Sequence, residues 1–130
     1  MKKVLCSMLV VVVMCLAAPA FSAEVTQVWH CEMEDAVTEQ VIIDGVGEWL
    51  KAARQMEGGE NLEASVLFPV AVTTGEIDLL IVFVAPSFQE WGTFWDAYEG
   101  SPAAKLENEH HDMIICPDSA LWESVKVKVK

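Results

Sequence analysis

Leu79-Leu80-Ile81-Val82-Phe83-Val84-Ala85 is an unbroken apolar run. With no polar residue at alternate positions, it has the pattern of a central strand covered on both faces. Before it, Ala64 to Thr73 reads as a strand whose Pro69 cannot donate a ladder hydrogen bond, which confines it to an edge or a bulge; Thr74-Gly75-Glu76 supplies the turn between the two. After it, Pro86-Ser87 opens a helix. Ser87 and Glu90 have capping-box spacing, Phe88, Trp91, Trp95 and Tyr98 fall along one helical face, and Gly100 stops the helix. Ser101-Pro102 restarts a short helix through Leu106 to about Glu109.

Farther out, Val25 to Met33 alternates as a strand, with Val25, Trp29, Cys31 and Met33 on its more apolar face. Asp35 is placed to cap an amphipathic helix from about Ala36 to Glu57, in which Val37, Val41, Ile42, Val46, Trp49, Leu50, Ala53 and Met56 recur at three and four residues. Gly45 and Gly47 weaken that helix by about 1 kcal/mol each relative to alanine, and Gly58-Gly59 ends it. Beyond the second helical region, Met113 to Cys116 is a short apolar segment and Pro117-Asp118 a turn. Ser119 to Val129 is a last strand, in which Val125, Val127 and Val129 alternate with Ser124, Lys126 and Lys128. Lysines of this kind protect a sheet edge.

The order strand, helix, strand, strand, helix, strand predicts an α+β, ferredoxin-like βαββαβ domain: a four-stranded antiparallel sheet in the order four-one-three-two with both helices on one face. Proline then marks one edge, lysines the other, and the all-apolar strand is central. The same order sets the end of strand one beside the start of strand four, where Cys31 and Cys116 stand, and so predicts a disulfide; two buried free thiols are the alternative. Because helices cover only one face, the apolar second face calls for a partner. A homodimer packed sheet to sheet would bury Leu80, Val82 and Val84 or their alternates, at about 1.5–3 kcal/mol per fully buried side chain. Loops or the segment around Met113 are the other means of covering it.

Element order over residues 24–130, together with Pro86-Ser87-Phe88-Gln89-Glu90-Trp91 through Asp96-Ala97 and Ser101-Pro102-Ala103, resembles the dimeric α/β-barrel superfamily. That group includes antibiotic-biosynthesis-type monooxygenases, haem-degrading monooxygenases and many uncharacterised stress-response proteins. The resemblance implies the fold and a dimer; it has no invariant catalytic motif and transfers activity poorly.

Residues 1–23 read as a cleavable signal peptide. Lys2 and Lys3 precede the apolar stretch Val4 to Ala17, and small residues follow from Ala18 to Ala23. The stretch falls short of the ~20 residues needed to span a bilayer. The expected destination is the periplasm or the exterior. All 20 acidic residues lie after Ala23, so loss of Lys2 and Lys3 moves the formal net charge from −12 to −14, and Cys6 and Cys15 leave with the leader. Such an acidic chain is a poor partner for nucleic acid or an anionic membrane.

The sequence offers few candidates for chemistry. His110-His111, with Glu107, Glu109 and Asp112 nearby, holds metal-binding and proton-transfer groups. Adjacent histidines diverge on a regular helix, however, and the zinc-type array is absent, so a solvated helix end is expected and no metal. His30 lies on the strand face opposite Trp29 and Cys31, as a general base or a satisfied core histidine. Trp91, Trp95 and Tyr98, with Trp29, Trp49 and Trp122 elsewhere, supply walls for a flat apolar or aromatic ligand. The resemblance to haem-degrading enzymes brings in a tryptophan, histidine and asparagine set; Trp91 or Trp95, His110 or His111, and Asn108 match in type but not in alignment, so no cofactor is expected. Phosphate loops, serine elbows, CxxC pairs and basic patches are missing. The leading expectation is a small-molecule-binding or stress-associated module. The alternatives are a cofactor-independent monooxygenase on an aromatic or polyketide-like substrate, with His30 or His111 assisting proton removal, and a purely structural dimer.

Overall fold

In the computed structural model, which describes residues 23–71, 78–127 and 129, the chain runs β1 (Glu24–Met33), α1 (Glu39–Ala53), β2 (Glu63–Leu67), β3 (Leu79–Ala85), α2 (Phe88–Asp96), α3 (Pro102–His110) and β4 (Ile114–Ser124). The strands form one sheet in the order β2-β3-β1-β4 with every pairing antiparallel. This is the ferredoxin-like arrangement. The apolar run is β3, between β1 and the short edge strand β2. Residues 1–22, nearly all of the expected signal peptide, and the expected turn at Thr74-Gly75-Glu76 lie outside the described residues.

Several element boundaries differ from expectation, each for a local reason. Asp35 is not the cap of α1: the Glu34 amide bonds the Met113 carbonyl at 3.2 Å and the Val37 amide bonds the Glu34 carbonyl at 2.9 Å, which holds this stretch in a turn. The cap is Thr38, whose hydroxyl accepts from the Val41 amide at 3.4 Å. Gly45 and Gly47 leave α1 unbroken. It ends at Ala53, short of Glu57, in successive turns that run through Gly58, whose φ is +78°. A Cβ on Gly58 would sit 2.6 Å from both Glu90 O and Phe94 N, so sterics as well as φ demand glycine where this turn meets α2.

The strand ends are displaced too. β2 stops at Leu67, before Pro69, because proline has no amide for the ladder. Pro117 and Asp118 form no turn but lie inside β4. His30 pairs with Asp118 and Glu32 with Ile115, so Cys116 and Pro117 together oppose Cys31 in a bulge; a bulge tolerates the missing proline donor. Ser124 pairs with Glu24, where β1 begins, and β4 ends there; Val125, Val127 and Val129 lie beyond it, exposed.

Strand alternation decides where the core sits. Val25 and Cys31 of β1 and Leu79, Ile81 and Ala85 of β3 face the helices and are buried, with Ile42, Trp49 and Ala53 of α1, Phe94 of α2 and Ala103 of α3 packed over them. Cys31 and Cys116 are joined by a disulfide across 85 residues. The alternate residues Val28, Leu80, Val82 and Val84 form the centre of the opposite face and are half-buried, while Leu67 and Trp122 beside them are exposed. Met113 packs into the helix-side core, so its segment does not cover the open face.

Candidate functional site

A cavity of about 490 Å³ opens between α1, the helix-side face of the sheet and the α3–β4 passage, a size suited to a small organic molecule. Its floor is Trp29 of β1 with Ile81 and Phe83 of β3, one wall is Ile42, Val46 and Trp49 of α1, and Trp95 of α2 and Tyr98 close another. Alternation along the strands and three-to-four spacing along α1 aim these side chains inward.

Capping places the second wall. The Ser87 hydroxyl accepts from the Glu90 amide at 3.1 Å and donates to the Glu90 carboxylate at 3.2 Å, fixing the start of α2. After α2, the chain turns through Gly100, whose φ is +73°, and restarts as α3 where Ser101 accepts from the Ala104 amide at 3.1 Å. Tyr98 in that turn and Glu107 on α3 thereby meet. The Tyr98 hydroxyl accepts from Trp49 Nε1 at 2.8 Å and donates to Glu107 Oε2. Burial, and then the hydrogen bond to Glu107, push the Tyr98 phenol well above its usual value. Tyr98 is therefore a fixed neutral donor rather than a proton acceptor.

Of the aromatic residues singled out in the sequence, Trp95 and Tyr98 line the cavity, as do Trp29 and Trp49. Trp91 does not; its Nε1 donates to Gln27 Oε1 at 3.0 Å. Trp122 belongs to the open sheet face, as its pairing with Thr26 requires. His30 is on that face too, with Nδ1 against the Asp118 carboxylate, and the sheet separates it from the cavity. His110 and His111 both border the cavity, because α3 ends between them: His110 is its last residue and His111 its C-cap. His111 is exposed and its Nδ1 lies 2.8 Å from Asp112 Oδ1. His110 approaches α1 at Gly45, where a Cβ would lie 3.4 Å from its Nδ1.

The Tyr98–Glu107 link escaped the sequence reading, which took Glu107 only as a neighbour of the histidines. The available signal was Tyr98, Gly100 and Ser101-Pro102 in succession, a turn that folds a following helix back on its predecessor. Among the described residues, no group of three or more histidine, cysteine, aspartate or glutamate side chains is placed to hold a metal. Haem does not fit these walls. Its two carboxylates would find no lysine or arginine among the lining residues, which include the Glu107 carboxylate, and of the matching types Trp95, His110 and His111 line the cavity while Asn108 and Trp91 do not.

No family model and no curated relative matches the chain. Solved structures do. A chlorite dismutase candidate superposes with a TM-score of 0.50 at 11% identity, over 80% of this chain and 44% of its own. The likeness is one of fold. A dimeric ferredoxin-like protein of unknown function from Thermobifida fusca YX follows at 0.46 and 13% identity, over 81% of this chain and 92% of its own. A mutant chlorite dismutase from Candidatus Nitrospira defluvii gives 0.45 at 12%, over 82% of this chain and 42% of its own. The chain thus spans less than half the length of the two dismutase structures.

Proposed function

We propose that the chain is an exported homodimer, one domain over residues 24–130 after removal of the signal peptide, that binds a small apolar or aromatic molecule between sheet and helices. The cavity carries the reading. Its walls are mainly aromatic and aliphatic, with a few polar side chains, Tyr98, Glu107, His110 and His111, among them; that combination is characteristic of ligand sites. The Cys31–Cys116 disulfide suits an oxidising compartment, periplasmic or extracellular. Among the described residues, no helix is long and apolar enough to cross a membrane. The half-buried aliphatic centre of the open sheet face supports the dimer, because a second copy of that face would remove it from water. A stress-associated role rests on the resemblance alone.

The cofactor-independent monooxygenase is a second reading, favoured by His110 and His111 at the cavity rim, where either could take a proton from a bound substrate. His30, on the other face of the sheet, is not placed to serve this cavity. Tryptophan quenching by a neutral aromatic probe such as tert-butylbenzene tests the site directly. Saturable quenching that Trp95→Ala weakens supports it. Quenching that never saturates leaves the purely structural dimer, and native mass spectrometry of the oxidised chain reads the subunit count independently.

A further inference from the structure

The charge and ring geometry of the cavity select among small ligands. Its walls contain no lysine or arginine, and its carboxylate is that of Glu107. Five aromatic side chains, Trp29, Trp49, Phe83, Trp95 and Tyr98, share the lining, and aromatic faces attract cations.

Most of these rings are inclined to one another. Trp29 and Trp95 have centroids 6.1 Å apart at 50°, and Trp95 and Tyr98 are 4.6 Å apart at 58°. The near-parallel pair, Trp49 and Phe83 at 4.3 Å and 6°, is stacked ring on ring. The inclined rings make a concave corner, which suits a compact rounded group better than a flat plate.

Hydrogen bonding narrows the choice further. The Tyr98 proton is directed at Glu107 and its oxygen already accepts from Trp49, so this phenol has no donor left for a ligand's acceptor. Glu107 has spare lone pairs and can only accept while ionised. Beside the lining, the Asp112 carboxylate stands 2.8 Å from His111 Nδ1 and adds a second negative group near the site. The chain as a whole, with 20 acidic residues against 8 lysines and arginines, attracts cations and repels anions.

We infer that the cavity takes a compact organic cation, of the substituted-ammonium class, with its charged head in the corner of Trp29, Trp95 and Tyr98 beside Glu107. The inference rests on the ligand-binding reading above. Glu107 supplies the counter-charge that an apolar pocket otherwise lacks, and the ring faces supply the rest.

Three probes of similar size separate the possibilities on the full, oxidised chain at pH 8: phenyltrimethylammonium, its neutral isostere tert-butylbenzene, and benzoate. Tryptophan quenching and calorimetry should show the cation binding about tenfold more tightly than the isostere. Glu107→Gln should remove most of that preference, and Glu109→Gln, a charge on the same helix that does not line the cavity, should keep it. Saturable tert-butylbenzene binding without a preference for the cation overturns the inference and leaves the pocket standing. So does tighter binding of benzoate, or equal loss of preference in both variants, the latter because it assigns the effect to the general acidic field. Failure of all three probes to saturate removes the inference and the pocket together.

Discussion

The two faces of the sheet are built from the same strands and are almost equally apolar at their centres, yet they have different fates. On the helix side, Leu79, Ile81 and Phe83 meet aromatic rings and the disulfide, and among the described residues no buried side-chain nitrogen or oxygen lacks a partner. On the open side, Leu80, Val82 and Val84 stop at half-burial, and polar pairs frame them: His30 with Asp118, and Lys126 with Glu24 at 2.7 Å. Apolarity alone therefore does not distinguish a covered face from an open one. The difference comes from which face the connections carry the helices to.

The largest test of this contrast is the covalent tie on the helix side. Replacing both Cys31 and Cys116 with alanine opens a loop of 85 residues, and loop-closure entropy puts the loss at about 4.5 kcal/mol, readable by urea unfolding. Close behind, Phe94→Ala empties a site that is 1% exposed and should cost about 4 kcal/mol. Val82→Ala on the open face should cost about 1 kcal/mol in the isolated subunit. Equal losses from these two substitutions would show that the open face is as fully packed as the core.

Tyr98→Phe should cost about 1–2 kcal/mol, because it leaves the partly buried Trp49 indole without its acceptor. It also carries a pH signature. The folded phenol is raised above the unfolded value of about 10, so its contribution is complete below that pH and is lost as pH climbs from there toward the folded value. Stability of the parent chain should fall above pH 10 and that of Tyr98→Phe should fall less. Tyr98 is the sole tyrosine, so phenolate absorbance reports it directly, and ionisation at the ordinary value would mean that neither the burial of the phenol nor its contact with Glu107 is maintained. Val82→Lys should cost the isolated subunit the same ~1 kcal/mol as Val82→Ala while converting a dimer to monomers in sedimentation. A dimer that survives the substitution uses another surface.

Much of the fold is legible because its signals are local. Period two in β1, the apolar run of β3, three-to-four spacing in α1 and the Ser87 and Ser101 caps need only neighbouring residues, and they suffice for element order and for the central strand; Pro69 and Lys126, read as edge-strand residues, lie past the ends of β2 and β4. The misplaced boundaries are those where a long-range contact intervenes. The Glu34 amide is drawn to Met113, which delays α1 to Thr38, and the Cys116–Pro117 bulge turns an apparent turn signal into strand. The cavity was half legible. Trp95 and Tyr98 were found through helical spacing, but that same spacing included Trp91, which packs elsewhere.

By itself, the sequence determined an α+β chain of four strands with an apolar central strand and two cysteines brought together by topology, because patterning and topology follow from local backbone periodicity. Only the tertiary structure decided that Trp49, Tyr98 and Glu107 form one hydrogen-bonded unit. Those groups come from α1, a turn and α3, and their meeting depends on how far each helix travels across the sheet, a quantity set by packing volume and by the close approaches at Gly58 and Gly45.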